Sequence, residues 1–376
     1  MKSSRLSIRD FSVAIALLVL GAFFALKEPE FLSARSLSQL MTELSIVATL
    51  AMGMLLIILG GHIDLSAGSG VGLLGGLASV LVMQHGYSAP AAMGISFVAG
   101  VVLWKAMGAL IVMEKIPAFI VTLGGLLIFK GMFWRTIDNS TIPVTPGGTS
   151  NLYSLLTTYY VPPLWGLLLA SVLVLILGLV TLRTRRQRLA DGFEVESREM
   201  AFLKVFVAGQ GMFLFVLVTN QFRGVPLPAL ILGLVTLIVH VLTRHTAFGR
   251  HLYAIGGNEE AAVVSGIPVK RVVFAAFGIM GGIVAITGFM QTAYVGSSTT
   301  TVGELMELDA VAACVVGGVS LRGGRGSVMG VLLGSLLMVT LLKGMGLMNV
   351  SPEHKFMARG IVLILAAWMD VRLNRR

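Results

Sequence analysis

The chain has 376 residues, of which 56% are hydrophobic and 12% charged, about half the charged share of an ordinary soluble domain. Its formal charge of +10 would suit nucleic acid if the chain were soluble, but the basic residues bracket long apolar runs, as insertion orientation requires. Composition therefore excludes nucleic acid as the partner, implies membrane lipid, and predicts an all-α polytopic membrane protein of about 10–12 transmembrane helices.

In chain order, apolar runs predict spans near 11–26, 43–60, 65–83, 90–113, 117–135, 162–182, 203–219, 226–243, 270–292, 304–320, 327–346 and 355–371. Lys2, Arg5 and Arg9 precede the first run and no A-x-A-like site follows it before Lys27, so it is expected to be a retained span and not a cleaved signal. With the N-terminus in the cytoplasm, twelve crossings return the C-terminus there. They also place on that side the basic loop 183–200, the loop 244–270 with Arg250, Lys270 and Arg271, then Arg322 and Arg325, then Arg372, Arg375 and Arg376. The loop 136–160 has no Lys or Arg and falls outside, as a landing surface for an external partner; its Asn139-Ser140-Thr141 triplet is too common by chance to carry weight.

Between Gly60 and Gly76 the chain reads GGHIDLSAGSGVGLLGG. The G-x-G-x-x-G within it lacks the strand and βαβ context of a dinucleotide site. Gly68, Gly72 and Gly76 recur every four residues and predict close approach of another helix backbone. Asp64 and Ser66 are expected to cap the helix that follows by accepting its free amide hydrogens, and His62 either titrates or sits at the interface. Lys130 can snorkel to the headgroups. Lys105 lies nearer the middle of its run, where an inward position beside a carboxylate or carbonyl would be functional. Glu304, Glu307 and Asp309 fall in the first turns of the tenth span. A crossing with these acids at the outer interface and first turn preserves the alternation of sides, which a re-entrant element would break. Cys314, the only cysteine, excludes an internal disulfide and reads as a small buried hydrophobe.

The polar, glycine-broken stretch from Arg250 to Ile267 predicts a two-turn helix outside the membrane. Asn258 is a good N-cap, Glu259 and Glu260 suit the first turn, Ala261 and Ala262 are strong helix formers, Gly266 can end the helix and Pro268 blocks its continuation. The spacing Glu260-Ala261-Ala262, three residues, Gly266 resembles the E-A-A-x-x-x-G loop of bacterial ABC-transporter permeases, whose coupling helix enters a cleft on the ATP-binding subunit. The glycine break with Asp64-Leu65-Ser66, the run from Tyr253 to Ile267, and the stretch from Glu307-Leu308-Asp309-Ala310-Val311-Ala312-Ala313 through Gly317 to Ser327 are similar to the sugar-permease family that includes the ribose, galactose and xylose importers. The region 162–222 and Gly72-Leu73-Leu74-Gly75-Gly76 make the xylose-type members the nearest resemblance; His62 and Val263-Val264 depart from the family pattern.

The resemblance implies one transmembrane permease domain over residues 1–376 in a bacterial inner membrane, with both termini cytoplasmic. It implies a second permease copy as homodimer partner, two ATP-binding subunits at the cytoplasmic face, a periplasmic sugar-binding protein, and a monosaccharide cargo, xylose or a related pentose or hexose. Asn258, Glu259, Glu260, Ala261, Ala262 and Gly266 would couple to the ATPase; Asp64, Ser66, Lys105, Glu307 and Asp309 are candidates for the translocation pathway or its gate. No cofactor is expected and no enzyme activity, since G-x-x-x-x-G-K-[ST] is missing from the sequence, and the six histidines have no metal-ligand spacing. An ion-coupled secondary sugar transporter is the alternative. It would be marked by mid-bilayer carboxylates, and no clear mid-span pair is present.

Overall fold

A computed structural model describes residues 8–147, 149–195 and 197–373; Lys2, Arg5, Arg375 and Arg376, used above for orientation, lie outside the described residues. In order the elements are α1 (Ile8–Lys27), α2 (Ala34–Leu59), α3 (Ala67–Met83), α4 (Ala89–Met113), α5 (Ala118–Thr136), β1 (Ile142–Pro143), α6 (Leu152–Thr158), β2 (Tyr160–Val161), α7 (Pro163–Ala190), α8 (Arg198–Asn220), β3 (Val225–Pro226), α9 (Leu227–His245), α10 (Ala247–Gly257), α11 (Glu259–Val264), α12 (Val269–Val295), β4 (Ser297–Ser298), α13 (Met306–Val316), α14 (Val328–Leu347) and α15 (Pro352–Leu373). Among the described residues eight helices, α2, α4, α5, α7, α8, α9, α12 and α14, are long and apolar enough to cross a membrane. All twelve predicted spans fall on helices, because an apolar segment in hydrocarbon must satisfy its backbone internally.

Burial ranks these helices. In α2, 89% of the apolar window is inside the protein, and in α12 78%, whereas α7 and α8 bury only 11% and 17%. The first two are the core, and the α7–α8 hairpin stands at the rim on its own small cluster of Ala170, Val216 and Val225. Small residues let the inner helices touch. A Cβ added at Gly68 would strike the Glu307 carboxylate, at Gly72 it would come within 2.5 Å of the Val302 carbonyl oxygen, and at Gly76 within 2.7 Å of the Phe133 ring. The glycine stripe read from the sequence is thus where α3 meets α5 and the segment before α13. Cys314 is buried, with its thiol 3.4 Å from the Ala51 carbonyl oxygen.

Two ends of the bundle are defined by what meets there. At one, β1 pairs with β4 and β2 with β3, and Tyr294 at the end of α12 donates to Glu43 near the start of α2. At the other, the Gly324 amide donates to the Leu59 carbonyl at the end of α2. The chain therefore passes from one end to the other between β4 and Gly324. It does so on a helix of only 11 residues, about 16 Å at 1.5 Å per residue and so short of the roughly 30 Å hydrocarbon. The predicted helix over 304–320 is corrected to a short α13 with non-helical flanks, tolerated because protein surrounds them.

Two loops also differ from expectation. The 136–160 segment is not wholly an open landing surface: Asn151 begins α6 with a capping box, and the fully buried Tyr153 donates 2.8 Å to the Gly75 carbonyl. Between Val144 and Asn151 the exposed described residues are Pro146, Gly147, Thr149 and Ser150. In 183–200, Arg183, Arg185, Arg186 and Arg188 lie on the continuation of α7, which ends at Ala190.

Candidate functional site

At the end of the bundle marked by Gly324, α10 and α11 form a helical elbow between α9 and α12. Thr246 starts α10, its hydroxyl accepting the Gly249 amide at 3.3 Å, and Leu252 and Ile255 anchor it in the core. Tyr253 donates 2.9 Å to the Gly326 carbonyl. The sequence reading overlooked α10. It predicted α11 closely: Asn258 accepts the Ala261 amide at 2.9 Å, Glu259 and Glu260 occupy the first turn, and Gly266 has φ +78°, the left-handed geometry that ends a helix. Ala262 faces inward at 4% exposure, while Val263 and Val264 are 57% and 88% exposed. A helix that turns one alanine to the protein and two valines outward is presented to something beyond the chain.

Beside α11 lies a cleft of about 780 Å³, whose walls include His62, Lys115, Phe119, Glu259, Val263 and Lys270. Burial pushes the His62 imidazole below its ordinary value, and the nearby Glu259 carboxylate opposes that shift. His62 therefore belongs to the same face as α11, 6.3 Å from the Phe277 ring centre to centre.

Asp64 and Ser66 are brought together between α2 and α3, but not as two caps. Asp64 is fully buried. It accepts three donors: the Ser66 amide at 2.9 Å, the Ser66 hydroxyl at 2.6 Å and the Trp104 indole N–H at 2.6 Å. Ser66 precedes α3 with no side-chain cap bond, because its hydroxyl is spent on Asp64; the capping expectation for Ser66 is corrected. Trp104, which sequence reasoning missed, is fully buried. The signal was available, since a buried indole needs an acceptor and a buried carboxylate needs donors.

The remaining candidates separate. Glu307 and Asp309 are buried on α13, at 6% and 4% exposure, deeper than interface positions would be. Glu307 lines a cleft with α3 and α5. Asp309 faces another, where Arg359 of α15 lies 2.9 Å away as an ion pair and Glu43, Gln291 and Tyr294 share the wall. Near it Lys343 binds Glu43 and Gln39, each at 3.0 Å. Lys105 is exposed, its Nζ 5.7 Å from the Phe274 ring centre, so the inward position with a carboxylate partner is corrected. Lys130 is half-buried with Nζ 5.3 Å from the Trp134 ring centre. Among the described residues no group of three or more His, Cys, Asp or Glu could hold a metal ion.

Residues 36–367 match the family described as branched-chain amino acid transport system / permease component. The chain is 36% identical over 382 residues to the xylose transport system permease protein of Escherichia coli K12, covering 99% of this chain and 94% of that protein. It is 34% identical over 376 residues to the protein of the same name from Haemophilus influenzae, with 100% and 99% covered. To the ribose import permease protein of Bacillus subtilis it is 31% identical, with 95% and 91% covered. No solved structure matches. The family description and the relatives' names differ in cargo and agree on the part played. The chain belongs to this permease family, as the membrane component of a transport system and not as an enzyme.

Proposed function

We propose that the chain is the permease subunit of an ATP-driven, binding-protein-dependent importer of a monosaccharide, xylose or a related pentose or hexose. The cargo reading is supported by full-length similarity to permeases named for xylose and, at lower identity, ribose. In this reading residues 1–376 act as one transmembrane unit of an inner-membrane homodimer, the α11 end is cytoplasmic with both termini, and the β1–β4 end receives sugar from a periplasmic binding protein. Two ATPase subunits dock below.

The observation that carries the proposal is the E-A-A-x-x-x-G spacing falling on an exposed, self-capped helix that continues directly from α10. Asn258, Glu259, Glu260, Ala261, Ala262 and Gly266 form the coupling surface. ATP-driven closure of the partner would move α11, and α10 and α12 would carry that motion into the bundle. Glu260→Lys reverses the charge of the exposed first turn, and Gly266→Pro imposes φ near −65° where +78° is needed. Both are expected to lower ATP-dependent uptake at least about 10-fold, a coupling loss of the ordinary allosteric size, with the protein still recovered from the membrane. Uptake at the unaltered rate in both variants would sink the assignment.

A further inference from the structure

We propose that the cleft between α3, α5 and the turn entering α13 is a hydroxyl-recognition subsite that the transported monosaccharide touches inside the permease; this rests on the importer reading above. The cleft holds about 130 Å³ and its walls include Ser69, Lys130, Phe133, Thr300, Glu304 and Glu307. At roughly 30 Å³ per water that is space for about four waters, enough for one edge of a sugar ring.

Glu307 is the reason to read the cleft as a site. The residue is only 6% exposed; its carboxylate accepts its own backbone amide and feels the charge of Lys130, and its remaining acceptor capacity meets no side-chain donor among the described residues. Leaving acceptor capacity of a buried carboxylate unfilled is costly unless a partner arrives. The α3 backbone passes directly behind it at Gly68, leaving the cleft as the side from which donors can come. Leu305, in the left-handed region at φ +60°, begins α13 without a side-chain cap of its own, and the Glu307 carboxylate spends one acceptor on its own amide in that turn.

The rest of the wall selects the ligand class. Lys130 supplies donors, Glu307 acceptors, and Ser69 and Thr300 hydroxyls of both kinds. Lys130 sets a cation against Glu304 and Glu307, so neither a free anion nor a free cation finds a wall of one opposite sign. An uncharged solute with several hydroxyls can satisfy donors and acceptors together. The Trp134 indole N–H donates 3.3 Å to the Thr300 carbonyl, holding the turn against α5. The nearby Asp309 is excluded from the subsite because Arg359 already pairs it.

The test uses the whole complex, permease with ATPase subunits in proteoliposomes, one binding protein that accepts both sugars, and ATP. Maximal uptake rates of D-xylose and L-arabinose, which differ at one ring carbon, are compared for wild type, Glu307→Gln, Lys130→Met and the milder Ser69→Ala. Loss of a hydroxyl contact should change the ratio of the two rates on the order of 10-fold in Glu307→Gln or Lys130→Met, and less in Ser69→Ala. A packing role alone would slow both sugars by one factor, and an unchanged ratio in all three variants overturns the subsite. Wild-type uptake driven by an ion gradient with no need for ATP would refute the importer reading, and the subsite with it.

Discussion

Valine in place of Gly256 is expected to cut transport more than tenfold, the largest effect of any single substitution away from the exposed face of α11. A Cβ at Gly256 would collide with the Leu59 carbonyl oxygen and the Gly324 amide, the two groups that bond each other at 3.1 Å. Gly323, at φ +85°, packs on the same spot, where a Cβ would come within 2.8 Å of the Gly256 Cα and 2.9 Å of the Gly61 Cα. The turn after α2, the last turn of α10 and the loop before α14 therefore close on glycine backbones alone. Overpacking of this kind costs about 1–3 kcal/mol, and no flexible side chain is present to yield. The strain should lift the α10–α11 elbow from its seat. The readout is uptake together with co-purification of the ATPase subunits: both are expected to fall, and retention of both would mean the glycine contact does not seat the elbow.

A second large effect is expected at Trp104. Trp104→Phe keeps an aromatic ring beside Phe129, now 5.1 Å away centre to centre, but removes the indole N–H that reaches Asp64 at 2.6 Å. Asp64 is then left buried with only Ser66 as donor. Losing a bond to a buried carboxylate costs about 1.5–3 kcal/mol, and the smaller ring adds a cavity term of the same sign. The melting temperature in detergent should fall. Asp64→Asn should lower it as well, because an amide NH2 must then face either the Trp104 N–H or the Ser66 donors. If Trp104→Phe melts with wild type, the three-donor clamp is not what fixes the break between α2 and α3.

Eight of the twelve spans fall on helices long and apolar enough to cross a membrane because hydropathy is the strongest signal a membrane protein carries, and the glycine stripe of α3 was legible because small residues at four-residue spacing have one dominant use. α11 was readable from Asn258, the acids and Gly266 because capping is local. α10 was not: Arg250, His251 and the glycines mask an apolar pair, Leu252 and Ile255, that only tertiary contact makes a helix face. α6 was hidden in a loop rich in Pro, Gly and Thr, and its burial depends on Tyr153 finding Gly75 in another helix. Lys105 was misplaced by its position along the run. The buried residues of α4, Gly100, Trp104, Met107, Gly108 and Ile111, follow the helical repeat and put residue 105 on the flank of that face, where its stem lies along Gly278 of α12, so periodicity held the answer that distance from the ends did not. The Asp64–Trp104 bond joins residues 40 apart in sequence, and no local pattern announces such a pair.

The central claim is tested most directly by reconstitution. The permease with its ATPase subunits in vesicles, given a periplasmic sugar-binding protein, is offered a panel of pentoses and hexoses. The account predicts uptake of xylose or a closely related sugar that requires both the binding protein and ATP hydrolysis and is indifferent to proton or sodium gradients. Uptake driven by an ion gradient, with no need for ATP or the binding protein, would contradict it.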